Sequence, residues 1–339
     1  MKLKSKLYVF IALAVLQTGT LMAQNQKDHI REMMEHLSKE ELIKHLTIIA
    51  GDEMEGRKTG ETGQKTAANY IRNFYKNLEV PALPGTDDYF QHVPSEAMQR
   101  MFSPKLNDSE NVVAYIKGSE KPDEYIVLSA HYDHVGMANG EIYNGADDNG
   151  TGTTALMEIA RIFQTAYNNG NGPKRSVIFL HCTGEEYGLH GSRFFVHSKI
   201  IPLENIVANL NVDMIGRKDR VYENSKENYI YLVGSDKLST ELHDLSEAMN
   251  KKYTQLHLDY TYNDDKHPEM IFYRSDHYNF AKFGIPVIFY YSGEHADYHK
   301  PTDTVDKIDF DQMLKRTQLI FITTWKLANR TERIKLNNQ

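Results

Sequence analysis

Apolar and polar residues follow two different periods along this chain. Short runs that are apolar on both faces, such as Val112–Ile116, predict buried strands. Longer stretches with apolar residues three and four positions apart predict amphipathic helices. Because the two kinds of segment alternate, the pattern predicts an α/β domain whose mostly parallel sheet is covered on both faces. The predicted strands are Tyr89–Val93, Val112–Ile116, Tyr125–Ala130, Ser176–His181, Ile206–Met214, Tyr229–Val233 and Val287–Tyr291, and the helices among them are Thr153–Tyr167, Glu241–Tyr253 and Asp309–Ala328.

Three helices are predicted ahead of this alternating region. Asp28–Leu37 has a short amphipathic pattern, and Ser38 with Glu41 forms a capping box that starts a second helix, ending near Ile49. The third helix runs from about Gly63 to Leu78. We therefore predict N-terminal helices over residues 24–88 packed on a main domain over residues 89–330, with a polar tail at 331–339.

The first 23 residues have the pattern of a secretory signal peptide. Lysines at positions 2, 4 and 6 precede an apolar run of ten residues from Leu7 to Leu16, and small and polar residues follow up to Ala23. A membrane anchor is the alternative, but ten residues are fewer than the ~20 that span a bilayer. We expect an exported protein, periplasmic or extracellular, with no stable membrane insertion after signal removal.

The composition narrows the classes of function. Asp and Glu number 46 against 39 Lys and Arg, so the 339-residue chain carries a formal charge of −7. This mild acidity argues against a nucleic-acid partner, which would require a basic face. Cys182 is the single cysteine, which excludes an intramolecular disulfide and a cysteine-rich zinc module.

Four predicted strands are followed by residues that can bind metals. Ligands of such sheets bind beyond the carboxyl ends of the strands. Imidazole nitrogens and carboxylate oxygens are the ligands that zinc takes when no thiolate is offered, and two ions can share one bridging carboxylate. The candidates are His131 and Asp133 after the first of these strands, Asp147 and Asp148 before the next helix, Glu185 and Glu186, Asp213, and His295 and His299 in the last loop.

Taken singly, most of these residues have an ordinary explanation. Asp147-Asp148-Asn149-Gly150 is typical of a turn and helix cap, and adjacent glutamates are usually solvated. Asp213 is different, because it ends a stretch that reads as a buried strand, where an unpaired carboxylate costs several kcal/mol. Their joint occurrence at successive strand ends predicts a metal site.

At these residues the chain resembles the zinc aminopeptidase family, which includes bacterial leucyl aminopeptidase, plasma glutamate carboxypeptidase, glutamate carboxypeptidase II and the glutaminyl cyclases. The resemblance covers about residues 111–308, and its most specific blocks are His131–Gly152 and Gly184–Ser192. It implies a three-layer α/β/α sandwich with a mostly parallel mixed central sheet, and it makes residues 89–330 the catalytic domain.

The resemblance also implies a site with two Zn²⁺ per chain and one general base. The metals would polarise the scissile carbonyl, and a metal-bound hydroxide would attack it. At the matching positions, His131 and Asp213 would bind one zinc, Glu186 and His299 the other, Asp147 would bridge both, Glu185 would be the general base and Asp133 would orient the His131 ring.

The implied function is a secreted metallo-exopeptidase, most readily an aminopeptidase that hydrolyses N-terminal peptide bonds of peptides or small peptide-like substrates. Met214, Arg274, His277 and His295 are the candidates for substrate binding. Arg274 would meet either a substrate carboxylate or, as we prefer, an acidic neighbour.

Three alternatives stay open from the sequence. A glutaminyl cyclase-like transferase would hold one zinc, whereas all the ligand positions are present here. A non-catalytic binding domain would have lost ligands, and none is lost. The third alternative is a carboxypeptidase or dipeptidase of the same family, which a comparison of free-amine and N-blocked peptides would separate from an aminopeptidase.

Overall fold

Eight strands form one central sheet in the computed structural model, which describes residues 29–99 and 105–337; the predicted signal peptide lies outside these ranges. The strands are β1 Phe90–Val93, β2 Ser109–Ile116, β3 Lys121–His131, β6 Arg175–Cys182, β7 Ile206–Val212, β8 Tyr229–Val233, β9 His257–Asp259 and β10 Val287–Tyr291, with β4 Gly136–Ala138 and β5 Glu141–Tyr143 forming a separate hairpin. Their order in the sheet is β1-β2-β6-β3-β7-β10-β8-β9. The central strands β6, β3, β7 and β10 are mutually parallel, whereas β1 is antiparallel to β2, β2 to β6, and β8 to β10.

Helices cover both faces of the sheet, so the predicted α/β sandwich with a mixed, mostly parallel sheet is confirmed. The helices are α1 at residues 29–35, α2 Lys39–Ile49, α3 Thr62–Asn77, α4 Ser95–Met98, α5 Gly152–Asn168, α6 His190–Ser198, α7 Thr240–Met249, α8 His277–Ala281 and α9 Phe310–Asn329. One face of the sheet packs against α2, α3, α5, α7 and α9, and the other against α6 and α8.

The sequence pattern located the strands of the central sheet better than the helices. All seven predicted strands form, with ends that differ by a few residues, and the six predicted helices correspond to α1, α2, α3, α5, α7 and α9. The helices α4, α6 and α8 and the strands β4, β5 and β9 were not predicted. Most of them have only three to five residues, which show little of a period, but α6 has nine. Within the described ranges, no helix combines the length and the apolar character needed to cross a bilayer.

The capping box at the start of α2 is half formed. The Ser38 hydroxyl accepts a hydrogen bond from the Glu41 backbone N–H at 3.2 Å, as a capping residue does. The Glu41 carboxylate pairs with Lys44 at 2.8 Å instead of turning back, and the Ser38 N–H donates to the buried Glu158 at 2.6 Å. This second bond ties the N-terminal helices to α5.

Arg57 joins the N-terminal helices to the carboxyl edge of the sheet. The side chain is fully buried and donates to the backbone carbonyls of Ile49, Tyr132, Asn144 and Gly145 at 2.6–2.8 Å. Burial lowers the pKa of its guanidinium to about 10, so the side chain remains charged at neutral pH. It therefore fixes the turns on either side of the β4–β5 hairpin.

Arg57→Met should lower the free energy of unfolding by at least ~3 kcal/mol, because several buried carbonyls would lose their donors. Urea denaturation followed by circular dichroism measures this. The exposed Arg220 supplies the matched control, since Arg220→Met should change stability little. Equal stability of the two variants would show that Arg57 does not anchor these turns.

Candidate metal centre

The candidate residues meet at one edge of the sheet because β3, β6, β7 and β10 are parallel neighbours. Their carboxyl ends therefore point in the same direction, and the loops that follow them converge. The residues brought together are His131 at the end of β3, Asp148 before α5, Glu185 and Glu186 after β6, Asp213 directly after β7, and His299 after β10.

Asp148 lies at the centre of this group. Its Oδ1 is 3.3 Å from Nε2 of His131, and its Oδ2 is 3.0 Å from Nε2 of His299. One carboxylate thus faces two imidazoles, one with each oxygen. This is the arrangement that a ligand shared by two cations requires.

Asp147 had been expected in this position, and the structure corrects the expectation by one residue. Its Oδ1 accepts from the Gly216 N–H at 2.6 Å, and its Oδ2 is 3.4 Å from Nε2 of His295, away from the other candidates. The backbone at Asp148 is extended, with φ −104° and ψ 97°. Because side chains alternate in direction along extended backbone, the two neighbouring carboxylates point to opposite sides.

His131 faces three carboxylates with the same nitrogen. Besides Asp148, its Nε2 is 3.2 Å from Oδ1 of Asp213 and 4.0 Å from Oε2 of Glu185. The other Asp213 oxygen accepts from the Ser275 hydroxyl at 2.7 Å, which holds the carboxylate in place. His131, Glu185 and Asp213 offer ligand atoms within 4.8 Å of one another, as do His131, Asp148 and Glu186.

Glu186 faces two histidines on the other side of Asp148. Its Oε2 is 3.0 Å from Nε2 of His299, and its Oε1 is 2.8 Å from Nδ1 of His134. His134 had been given no role from the sequence. Its place three residues after His131 was the only signal, and that spacing alone does not say which way the ring points.

Asp133 contacts the His131 ring through its backbone rather than its side chain. Nδ1 of His131 donates to the Asp133 carbonyl at 3.1 Å, whereas the nearer carboxylate oxygen is 3.8 Å away. That carboxylate accepts from the Thr59 hydroxyl at 2.7 Å and from the Glu185 N–H at 3.2 Å. The expected orientation of His131 is thus achieved by the carbonyl, and the carboxylate holds the base of the Glu185 loop.

The pKa values of the cluster reflect crowded, buried charges. Burial opposes ionisation of Asp148, but the facing imidazoles of His131 and His299 outweigh it and hold the pKa of Asp148 well below its ordinary value. Burial lowers the pKa of His299, but the carboxylates of Asp148 and Glu186 raise it, and the net result is a pKa of about 10. Burial raises the pKa of Glu185 well above its ordinary value. Glu185 is therefore set apart chemically from its neighbours.

The residues fit divalent cations with nitrogen and oxygen ligands. Four carboxylates, from Asp148, Glu185, Glu186 and Asp213, crowd one largely buried region, where uncompensated charges cost several kcal/mol each. Among the described residues, Oδ2 of Asp148 is buried and has no hydrogen-bond donor, although His299 is close. Histidine and carboxylate donors suit Zn²⁺.

A cavity of about 40 Å³ opens beside the cluster, next to Asp148, Glu185 and Asp213. Its apolar wall includes Met214, one of the residues that the sequence suggested for substrate binding. At its rim Arg274 is ion-paired with Glu294 at 2.6 Å, so Arg274 meets an acidic neighbour. The lining residues besides the three carboxylates are Met214, Ile271, Phe289, Tyr291, Arg274, Glu294 and Tyr298.

His277 and His295, expected to bind substrate, lie outside this cavity. His277 is fully buried in α8, and its ring stacks on Phe289 with centroids 4.7 Å apart. His295 is buried behind the cluster, between Asp147 and Asp303. Neither ring is accessible to a molecule in the cavity, so the structure gives both an internal role.

The sequence of the chain is similar to that of known metalloproteases and aminopeptidases. Residues 111–324 match the sequence profile of Peptidase family M28. A "Probable zinc metalloprotease" of Pyricularia oryzae is 38% identical over 109 residues, which are 31% of this chain and 21% of that protein. A "Probable leucine aminopeptidase" of Arthroderma otae is 28% identical over 216 residues, which are 61% of this chain and 55% of that protein.

The fold is similar to that of solved enzymes. The crystal structure of the Legionella pneumophila LapA aminopeptidase superposes with a TM-score of 0.68 at 19% identity, covering 90% of this chain and 76% of that one. The chain spans only about a fifth and about half of the two curated relatives. Since the family profile covers more than half of the chain, the protein belongs to Peptidase family M28.

Proposed function

We propose that the protein is an exported metallo-exopeptidase that holds two Zn²⁺ and removes N-terminal residues from peptides. The observation that carries this proposal is the carboxylate of Asp148, which faces His131 with one oxygen and His299 with the other. The signal-like pattern of residues 1–23 supports export.

The proposed ligand set has two halves joined by one bridge. His131 and Asp213 would hold one ion, Glu186 and His299 the other, and Asp148 would bind both. When bound, such ions supply Lewis acidity toward the scissile carbonyl and lower the pKa of an attacking water. The ligands are held in place by groups behind them, such as Ser275 behind Asp213 and the Asp133 carbonyl behind His131.

Glu185 is the residue proposed to move the proton. It lines the cavity beside the ligands, and burial raises the pKa of its carboxyl, which makes it a stronger base for accepting a proton that it would then deliver to the leaving amine. Tyr298 lines the same cavity and stacks on His299 with centroids 3.9 Å apart. Burial, with the nearby Asp148 and Glu186, raises the pKa of Tyr298, so its hydroxyl keeps the proton that it would donate to the carbonyl oxygen.

The cavity supports exopeptidase action from the amino end. A carboxypeptidase needs a cation for the substrate carboxylate, and Arg274, the cation of this cavity, is already paired with Glu294. The aminopeptidase names of two of the similar proteins agree with this direction.

The test is a panel of aminoacyl p-nitroanilides and matched peptides with free and blocked amino termini. We expect cleavage of the free-amine substrates only, loss of activity with chelator and recovery on adding zinc. Cleavage of N-blocked peptides would point to a carboxypeptidase. One tightly held zinc per chain with no peptidase activity would favour a cyclase-like transferase.

Zinc binding to the metal-free protein should release protons. Burial lowers the pKa values of both histidine ligands, but the facing carboxylates outweigh it: Asp213, Asp148 and Glu185 raise the pKa of His131, and Asp148 and Glu186 raise the pKa of His299 to about 10. Zinc requires neutral imidazoles, so each of the two sites should release at least one proton.

Raising the pH removes this competition, and zinc affinity should rise about tenfold per pH unit for each proton released, up to the pKa of the histidine concerned. Isothermal titration calorimetry in buffers of different ionisation enthalpy counts the protons. Binding heats that are independent of the buffer would contradict the proposed ligation by protonated histidines.

A further inference from the structure

His134 is held rigidly beside the proposed second ion. The residue is fully buried, and its backbone N–H donates to the Arg57 carbonyl at 3.1 Å. Its ring packs directly on Gly145, where a Cβ atom would come within 2.5 Å of the ring carbons, and Gly145 itself has φ +55°. The backbone hydrogen bond to Arg57 and the close contact with Gly145 together hold the ring in place.

In that position the ring of His134 faces one carboxylate oxygen of Glu186. Its Nδ1 is 2.8 Å from Oε1 of Glu186, while Oε2 of the same carboxylate is 3.0 Å from Nε2 of His299. The rings of His134 and His299 meet edge to face, with centroids 5.6 Å apart. Glu186 is therefore divided between two imidazoles, one on each oxygen.

A metal-binding carboxylate can rotate and bind through either oxygen or both. A hydrogen bond to one oxygen removes this freedom and presents the other to the ion. Nδ1 of His134 is also 3.7 Å from Oδ2 of Asp148, so its proton lies beside both carboxylates of this half of the site.

We infer that His134 is a positioning residue for the second ion: its Nδ1–H binds Oε1 of Glu186 and leaves Oε2 to the ion shared with His299. The inference rests on the proposed two-zinc function. It assigns to His134 a task that depends on one donor atom, and not on the bulk of the ring.

The test compares His134→Asn with His134→Leu. The asparagine side-chain NH₂ can occupy the place of Nδ1–H, whereas leucine fills the space without a donor. In zinc titrations against a chromophoric chelator, we expect His134→Leu to weaken one of two sites by about 10–100-fold, the usual effect of losing an outer partner of a ligand. His134→Asn should restore the affinity of that site.

Equal affinities in wild type and His134→Leu, or equal losses in both variants, would overturn the inference. It can be tested without any variant by ¹⁵N NMR of the histidines in the zinc-loaded wild-type protein. His134 must carry its proton on Nδ1, and an unprotonated Nδ1 would overturn the assignment, including the case in which it binds metal directly. Wild-type protein that binds no zinc would instead refute the proposed function.

Discussion

Replacing Glu185 by alanine is expected to lower turnover by at least about 100-fold, which is the usual scale for loss of a general acid–base, while the two proposed zinc ions stay bound. The reason is its position: its Oε2 is 4.0 Å from His131, at the border of the cavity, and Asp213 and Asp148 are nearer to that nitrogen. The site should therefore keep its ligands and lose its proton carrier.

Two measurements and two further variants decide this prediction. Metal content by mass spectrometry should stay at two zinc ions per chain, and kcat on the preferred aminoacyl substrate should fall. Glu185→Gln should lose as much as Glu185→Ala, since it keeps the size and removes the basic oxygen. Glu204→Ala, an exposed glutamate before β7, is the control. Near-full activity of Glu185→Ala would show that another group carries the proton.

Asp148→Asn should remove the site, and Asp147→Asn should leave it in place. Asp148 faces both histidines, so an amide there would weaken both ions, and we expect zinc affinity to fall by at least about 100-fold, beyond the effect of losing an outer partner. At position 147 an amide oxygen can still accept from the Gly216 N–H.

Because the two residues are adjacent and both buried, each variant controls for the other. Zinc retained after dialysis and thermal unfolding of the metal-free proteins should be measured on both. If Asp147→Asn loses the ions and Asp148→Asn keeps them, the bridge is at Asp147 after all. Loss of zinc from both variants without unfolding would mean that zinc binding depends on both carboxylates of this turn.

The pattern of apolar residues was enough to predict that most of the candidate residues lie at one edge of the sheet. Runs such as Tyr125–Ala130 are apolar on both faces, which marks them as central parallel strands and marks their ends as one edge of a sheet. His131 and Asp213 follow such runs directly. Their meeting is a consequence of topology that needs no knowledge of side-chain contacts.

The choice between Asp147 and Asp148 could not be made in the same way. Both are acidic, both lie in the same turn, and the choice is set by the extended backbone at Asp148. That conformation depends on distant partners, since the N–H groups of both residues donate to the carboxylate of Asp303. Local sequence does not contain this information.

The internal histidines show a second limit. His277 follows Ser275 and Asp276 in a polar stretch that resembles a surface loop, yet it begins α8 and turns its ring onto Phe289. The burial of one ring depends on how a short helix docks on the sheet. A five-residue helix gives too few positions for its buried face to be read from the pattern.

The place of β10 in the sheet has a consequence for how the chain is made. Although β10 is the last strand in the sequence, it pairs with β7 on one side and β8 on the other. Until it arrives, the growing chain carries two unfilled edges in its apolar centre, which favour pairing with other chains. We therefore expect the chain to be most prone to association with other chains before Val287–Tyr291 has joined the sheet.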